Sequence, residues 1–193
     1  MQTRTPFSSI TGDSHQFRGI IRRASSALRD SLGGGLLERL DSIVQILAAK
    51  MYDELLADRV GNRPRFFVET DDTVDSVYGR VASLYCELIE HPEYRVLFEQ
   101  KRIFTSDRSA VHRITGLLQP LRLGDLLYDP HGSAFQEILR DTFDKTENQQ
   151  YFTPMEVSEF MAAVGAKALG KPLWTARVCD PAVGTGGLCC WRR

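Results

Sequence analysis

Apolar side chains recur every three or four positions through most of the first 145 residues, which is the spacing of one helix face. This pattern predicts an amphipathic helix near the amino terminus and a longer helix over residues 36–60 that Gly61 and Pro64 end. A third helix is predicted from Asp72 to Pro92, because proline interrupts a helix. The apolar positions of the three helices are, in chain order, Phe17, Ile20, Ile21, Ala24 and Leu28; Leu36, Leu37, Leu40, Ile43, Val44, Leu47, Met51, Leu55 and Leu56; and Val74, Val77, Val81, Leu84, Tyr85 and Leu88.

Three shorter helical segments are predicted after the third helix. The first lies around Tyr94 to Gln100, the second starts near Asp107, and the third covers residues 133–143. Between the last two, residues 121–132 are rich in Gly, Asp and Pro, which is typical of a loop. The chain shows no internal repeat and no convincing strand up to this point, so residues 1–146 are predicted to form a helical N-terminal domain. The inward-facing positions of the second and third segments are predicted to be Val111, Ile114, Leu117 and Leu118, and Phe135, Ile138, Leu139 and Phe143.

The pattern changes in the last part of the chain. Thr153 is a suitable N-cap, Pro154 suits the first helical position, and Glu156 stands three residues after Thr153 as in a capping box. These residues predict a sharply defined helix start, and Gly170 with Pro172 predicts its end. The inward face of this helix is predicted to consist of Val157, Phe160, Met161, Val164 and Ala168.

A short strand and a glycine loop are predicted after this helix. The run TARVCD, residues 175–180, fits a buried strand, and the stretch DPAVGTGG, residues 180–187, leaves its carboxyl end. Helix, strand and glycine loop in this order are typical of the start of an open α/β sheet, whose ligands bind at the carboxyl ends of the strands. The predicted fold is therefore mainly α, with a helical domain over residues 1–146 followed by the start of a Rossmann-like domain over residues 147–193.

Composition and charge narrow the functional classes. Hydrophobic residues make up 42% and charged residues 25% of the 193 residues, which is typical of a soluble globular protein. The formal net charge is -1, so contact with nucleic acid requires a local patch such as Arg18, Arg22 and Arg23. No apolar run approaches the length that crosses a bilayer, and the start of the chain lacks the pattern of a signal peptide. We therefore expect a cytoplasmic protein without a membrane partner.

The cysteines and histidines show no pattern typical of a metal site. Cys86, Cys179, Cys189 and Cys190 lack the repeated CxxC or Cys/His spacing that binds zinc. Because disulfides are rare in the cytosol, we expect these four residues to be free thiols. The four histidines are scattered singly, and we interpret each as a surface or satisfied histidine. We therefore assign no metal ligand.

The glycine loop resembles the loops of three cofactor classes, and its spacing separates them. A phosphate-binding P-loop ends in Gly-Lys followed by Ser or Thr, which is absent here. A dinucleotide fingerprint has the spacing G-x-G-x-x-G, whereas residues 184–187 read G-T-G-G. S-adenosylmethionine is the cofactor that remains of the three. The alternative explanation of the glycines is a tight turn after the strand without a cofactor.

Two motifs together resemble a known family. QYFTP, residues 150–154, and VCDPAVGTGG, residues 178–187, are similar in order and spacing to the paired cofactor motifs of adenine-specific DNA methyltransferases that serve as modification (M) subunits of type I restriction-modification systems. The segments LDSIVQILAAKMYDELL and GSAFQEILRDTF match, in kind and order, the helical N-terminal domain of such subunits. The resemblance covers most of the chain from about Leu36.

This resemblance implies a binding site for S-adenosylmethionine. In the family, the aromatic-Thr-Pro segment and the glycine loop face each other around the methionine part of the cofactor. Backbone N–H groups at a helix start can bind its carboxylate, and a carboxylate such as Asp180 can bind its ammonium group. Thr153 either takes part in this contact or only caps the helix. The implied cofactor-binding residues are Phe152, Thr153 and Pro154 on one side and Asp180, Pro181, Gly184, Thr185 and Gly186 on the other.

The resemblance also implies a reaction and partners. Members of the family methylate adenine in double-stranded DNA and assemble with specificity and restriction subunits. Their Asn/Asp-Pro-Pro-aromatic motif, which binds the flipped adenine, has no counterpart here because the sequence contains no Pro-Pro pair. We therefore assign no catalytic residue, interpret the chain as a truncated N-terminal part of such a methyltransferase, and expect it to be inactive alone. The alternative hypothesis is a non-catalytic helical module that binds DNA or a specificity subunit.

Overall fold

A computed structural model describes residues 14–32, 35–61, 63–97, 104, 106–126, 130–143, 153 and 155–181. Six α-helices and three short 3₁₀ helices lie within these residues, and no β-strand does. The α-helices are α1 (Ser14–Leu32), α2 (Leu36–Val60), α3 (Val74–Glu90), α4 (Arg108–Leu118), α5 (Pro130–Phe143) and α6 (Met155–Leu169). The 3₁₀ helices are Arg95–Leu97, Leu123–Asp125 and Leu173–Thr175. The mainly α prediction is confirmed for the described part of the chain.

The chain divides into two compact units, Met1–Leu126 and Leu127–Arg193. In the first unit, α2 packs against α3, α1 packs against α4, and α3 packs against α4. The second unit contains α5, α6 and the third 3₁₀ helix, of which α6 packs against the 3₁₀ helix. The division into domains at residues 1–146 and 147–193 remains a prediction.

Side-chain caps define the starts of two helices in the first unit. The hydroxyl of Thr73 accepts a hydrogen bond from the Ser76 backbone N–H (3.1 Å), and the carboxylate of Asp107 accepts one from the Ala110 N–H (2.8 Å). Helix α3 therefore begins after Thr73 and not at the predicted Asp72. The end of α2 is confirmed, because Gly61 adopts the left-handed conformation at φ 72° that favours glycine.

The first helix matches its predicted pattern closely. All five of its predicted apolar positions are buried, together with Ser25 and Ala27. The buried side chain of Arg39 on α2 reaches across to α1, where its guanidinium donates a hydrogen bond to the Ser25 hydroxyl at 3.3 Å. A single apolar stripe describes the buried surface of α1 because neighbouring helices cover only one face of it.

The prediction for α2 is partly wrong. Leu40, Ile43 and Leu47 are buried as expected, but Leu37 is 79% exposed and Val44 and Leu55 are also exposed. Because α1, α3 and the 3₁₀ helix Leu123–Asp125 all contact α2, its buried surface is wider than one stripe. Polar residues therefore share this surface with apolar ones; the buried polar residues of α2 are Arg39, Ser42, Gln45, Lys50, Asp53 and Glu54.

Glu54, which forms a buried ion pair with Lys50 within α2, joins this helix to the 3₁₀ helix Leu123–Asp125. Lys50 Nζ lies 3.0 Å from Glu54 Oε1, and the two side chains are 1% and 5% exposed. The Glu54 carboxylate also accepts hydrogen bonds from the backbone N–H groups of Leu123 (3.0 Å) and Gly124 (2.9 Å). Burial lowers the pKa of Lys50, and the adjacent Glu54 carboxylate opposes that shift. The pair thus fixes the 3₁₀ helix Leu123–Asp125 to the centre of the unit.

The neighbouring carboxylate, Asp53, fixes a second loop. It accepts hydrogen bonds from the backbone N–H groups of Arg65 and Phe66, both at 2.8 Å. Burial raises the pKa of Asp53, and these two donors oppose the shift. The Arg65 guanidinium then forms two hydrogen bonds to the Glu87 carboxylate on α3, at 2.8 and 2.6 Å, which lower the pKa of Glu87.

The rest of this loop is held by α3 and by the end of α4. Arg80 donates two hydrogen bonds to the Asp72 carboxylate (2.8 and 2.6 Å), and its guanidinium lies 4.5 Å from the centroid of the Phe67 ring. The Gln119 side chain accepts a hydrogen bond from the Val68 N–H at 2.8 Å. The long connection between α2 and α3 is therefore ordered by polar contacts with three helices.

Two further predictions can be compared with the described residues. The segment around Tyr94 to Gln100 forms a 3₁₀ helix at Arg95–Leu97 and no α-helix there, while residues 98–100 lie outside the described part. Val111, Ile114 and Leu118 on α4 and Ile138 on α5 are buried as predicted. The side chains of Phe135, Leu139 and Phe143 lie outside the description.

The predicted buried strand at residues 175–180 is wrong for this structure. Thr175 ends a 3₁₀ helix, and the residues from Arg177 to Asp180 have no regular secondary structure. The side chains of Arg177, Val178 and Cys179 are exposed. A strand requires a neighbouring strand for its backbone hydrogen bonds, and the described residues provide none.

We predict that Glu54→Ala lowers the free energy of unfolding of the first unit by about 3–5 kcal/mol. The substitution leaves the buried Lys50 ammonium without its carboxylate and the Leu123 and Gly124 N–H groups without their acceptor. The double variant Lys50→Met/Glu54→Gln removes both charges and keeps an acceptor, so its loss should be clearly smaller. Urea unfolding followed by circular dichroism measures both; a double variant as unstable as Glu54→Ala would contradict this account.

Candidate functional site

The predicted cofactor residues all lie in the second unit, and the structure describes three of the eight. Thr153 is exposed, Asp180 is half-buried and Pro181 is exposed. The remaining predicted residues, which lie outside the described part, are Phe152, Pro154, Gly184, Thr185 and Gly186.

The start of α6 provides one chemical feature that the predicted site requires. The helix begins at Met155, two residues after Thr153, which agrees with the predicted start to within one residue. The first backbone N–H groups of a helix have no partner within the helix, and the helix dipole makes this end positive. An anion such as a carboxylate can therefore bind beside Thr153.

The end of α6 reverses the direction of the chain. Gly170 has φ 63°, in the left-handed region that favours glycine, and its N–H donates to the Lys167 carbonyl at 3.2 Å. Pro172 follows, and the Leu173 side chain then packs against α6 at Gly165. A Cβ atom added to Gly165 would lie 3.6 Å from Leu173 Cδ2. The predicted helix end at Gly170 and Pro172 is confirmed.

The segment after the reversal leads to Asp180. Ala176 is buried, whereas Arg177 to Cys179 are exposed and Asp180 is half-buried. The described parts of the predicted site are thus Thr153 beside the start of α6, the half-buried Asp180 and the exposed Pro181.

The predicted inward face of α6 is wrong. Val157, Phe160, Met161 and Val164 are 43%, 68%, 48% and 49% exposed, and Ala168 is exposed as well. Among the α6 residues whose side chains are described, Ser158 and Ala162 are buried, and the nearby Gly165 accommodates Leu173. The helix therefore contacts its own unit through small residues, which allow close packing, and presents its large apolar residues outward.

A second candidate surface lies on α1 in the first unit. Arg22, Arg23 and Arg29 are exposed and Arg18 is half-buried, while the opposite face of the helix is fully buried. At 100° per residue Arg18, Arg22 and Arg29 lie within about 40° of one another, and Arg23 lies about 100° from Arg22 on the same exposed half of α1. We call these four residues the arginine face. The acidic Asp30 lies beside it, 3.9 Å from Arg113 on α4.

Residues 127–191 match the family model of N-6 DNA methylases. The match begins at the first residue of the second unit and includes all eight predicted cofactor residues. It covers about a third of the chain and supports a relationship to adenine-specific DNA methyltransferases. No curated protein and no solved structure matches the chain.

The described part of the chain shows neither a metal-binding cluster nor a membrane-spanning helix. Within the described ranges, no group of three or more His, Cys, Asp or Glu side chains is placed to hold a metal ion. Cys86 and Cys179 are free and exposed, while Cys189 and Cys190 lie outside the description. No helix in the described part of the chain has the length and apolar character needed to cross a membrane.

We predict that Gly170→Ala destabilises the reversal after α6 by about 1–2 kcal/mol, because a Cβ disfavours the left-handed conformation at φ 63°. Gly165→Ala is the matched control. Its Cβ meets only ordinary van der Waals contact at 3.6 Å, and alanine favours the helix, so stability should not fall. Amide hydrogen exchange of residues 165–176 tests the pair; equal protection in both variants would contradict the role of Gly170.

Proposed function

We propose that this chain is the N-terminal part of an adenine-specific DNA methyltransferase, of the kind that serves as a modification subunit in type I restriction-modification systems. The observation that carries the proposal is the N-6 DNA methylase match over residues 127–191, which contains both cofactor motifs of the sequence. The type I assignment rests on the resemblance of QYFTP, DPAVGTGG and the preceding helices to such subunits. The proposed partners are double-stranded DNA and the specificity and restriction subunits.

The proposed reaction moves a methyl group from S-adenosylmethionine to the exocyclic amine of adenine. The carbon–sulfur bond breaks, the carbon–nitrogen bond forms, the sulfonium becomes a neutral thioether, and the amine loses one proton. The adenine must leave the base stack to reach the cofactor. The 193 residues contain no Pro-Pro pair, so we assign no residue to the binding of the flipped base and expect no methyl transfer by this chain alone.

The proposed site concerns the methionine part of the cofactor. We assign its carboxylate to the N-terminus of α6 beside Thr153, and its ammonium group to the carboxylate of Asp180. The chain length permits this arrangement. Leu173 packs at Gly165, which lies about 15 Å along the helix from Met155. The seven residues from Leu173 to Asp180 can span up to about 20 Å, so Asp180 can return to the start of the helix.

We predict that Asp180→Asn weakens binding of S-adenosylmethionine about tenfold, because a charge-assisted hydrogen bond to the ammonium group is lost. Asp125→Asn, at an exposed position of the first unit, is the matched control and should leave binding unchanged. Saturation-transfer difference NMR on the 193-residue chain measures both. Equal binding by the two variants would remove Asp180 from the site. Transfer of a labelled methyl group to DNA by the pure chain would contradict the expected inactivity.

A second candidate function is a non-catalytic helical module that binds the backbone of double-stranded DNA. The arginine face on α1 favours it, because Arg22, Arg23 and Arg29 are exposed residues on the half of the helix that faces away from its buried side, in a chain of net charge -1. A specificity subunit with an acidic surface is the other partner that this face could bind. The two candidate functions are compatible, since they use different units of the chain.

We predict that the double variant Arg22→Ala/Arg23→Ala weakens binding to duplex DNA and reduces the salt dependence of the affinity by up to about two charges. Arg59→Ala is the matched control, because Arg59 is exposed and lies on α2, where its guanidinium is 3.4 Å from the Glu93 carboxylate. Mobility-shift titrations between low and physiological salt give the two slopes. Unchanged slopes in the double variant would exclude the arginine face as the DNA contact.

A further inference from the structure

The arginine face of α1 consists of two rows. Arg18, Arg22 and Arg29 form one row, and Arg23 lies about 100° around the helix from Arg22. Asp30 stands seven positions after Arg23, which places it on the same line about 10 Å further along the helix. The second row thus begins with a cation and continues with an anion.

Helix α4 places a further arginine beside this second row. It packs against α1, and Arg113 Nη1 lies 3.9 Å from Asp30 Oδ2. The side chains of Arg113 and Asp30 are 59% and 65% exposed, so both are open to solvent. Because Arg23 and Asp30 share one side of α1, that side is the one that borders α4. Arg113 therefore continues the basic surface of α1 onto the neighbouring helix.

The contact between Asp30 and Arg113 is weak. A separation of 3.9 Å exceeds hydrogen-bond distance, whereas the Arg80 guanidinium donates to the Asp72 carboxylate at 2.8 and 2.6 Å. Exposed ion pairs contribute little to stability, because water and salt screen the two charges. A phosphate oxygen can therefore replace Asp30 as the partner of Arg113, and the hydrogen bonds between a guanidinium and a phosphate are short and strong.

Asp30 does not stabilise its own helix either. It lies in the last turn of α1, where the helix dipole is negative and a carboxylate is unfavourable. Its negative charge also repels the phosphates that the nearby arginines would bind. The main electrostatic effect of Asp30 is therefore to reduce the positive potential at this end of the arginine face.

We propose that Arg113 extends the arginine face onto α4 and binds a phosphate of double-stranded DNA, and that Asp30 weakens this binding by competing for the Arg113 guanidinium. The inference rests on the proposed DNA contact of the arginine face. It adds one cation from a second helix and one acidic residue that limits the affinity. On binding, the Arg113 guanidinium exchanges the Asp30 carboxylate for a phosphate oxygen.

Fluorescence anisotropy of a short labelled duplex tests both residues, when the duplex is titrated with the full chain at several salt concentrations. We expect Arg113→Ala to weaken binding about threefold to tenfold at low salt and to reduce the salt slope by about one. We expect Asp30→Asn to tighten binding by a similar factor, because it releases Arg113 and removes a charge that repels the phosphates.

Asp75→Asn is the matched control for Asp30→Asn. Asp75 on α3 is an exposed carboxylate that pairs with Arg108, so its replacement changes the net charge by the same amount and also breaks an exposed ion pair. Arg108 and Arg113 lie about 140° apart around α4, so the control pair is on a different side of the helix. The affinity of the Asp75→Asn variant should stay within about twofold of the wild type.

The result for each variant separates this inference from the proposed DNA contact. If Arg22→Ala/Arg23→Ala weakens binding while Arg113→Ala and Asp30→Asn bind like the wild type, the arginine face remains the contact and its extension onto α4 is overturned. Equal tightening by Asp30→Asn and Asp75→Asn also overturns the extension, because net charge alone then explains the affinity. A wild-type chain that does not bind DNA overturns both.

Thermal unfolding followed by circular dichroism controls for loss of structure. The Asp30→Asn variant should be no less stable than the wild type, because it removes an unfavourable charge from the end of α1. A change in DNA affinity in a variant that unfolds like the wild type is then an effect on binding.

Discussion

Two adjacent carboxylates on α2, Asp53 and Glu54, determine the organisation of the first unit. Helix packing alone places α2 against α3 and α1 against α4, but it leaves two irregular connections undefined. Glu54 binds the backbone of one connection and Asp53 binds the backbone of the other. The Lys50 ammonium balances the charge of the buried Glu54 carboxylate, so Glu54 can accept these hydrogen bonds as an ion. Burial of a carboxylate without such a partner would favour its neutral form. Arg65 extends the arrangement to Glu87 on α3.

The second unit is organised differently. Its helix α6 contacts the following 3₁₀ helix through small residues, and its large apolar residues are exposed. The N-terminus of this helix provides anion-binding backbone groups, and its outward side provides an apolar surface. The N-6 DNA methylase match begins at residue 127, which is also the first residue of this compact unit. The proposed cofactor contacts therefore lie in the second unit, and the proposed DNA contacts lie on the arginine face of the first.

Much of the helical structure was predictable because its signals are local. The periodicity of α1, the glycine that ends α2 and the Gly170–Pro172 end of α6 depend on neighbouring residues alone, and all three are confirmed. The candidate site was predictable only as a set of residues, since Thr153 and Asp180 are 27 positions apart and periodicity does not report their distance. The polar surface of α2 was missed because a helix covered on several sides has no single apolar stripe.

The sequence by itself determined the helical class and most helix ends, because capping and periodicity are properties of short segments. Only the tertiary structure decided which side of a helix is buried. Val157 and Phe160 have the spacing of a core face, yet they are exposed because α6 packs through Ser158 and Ala162. Residues 177–180 likewise have the composition of a strand without its structure, because a strand requires hydrogen bonds from a neighbour that local sequence cannot supply.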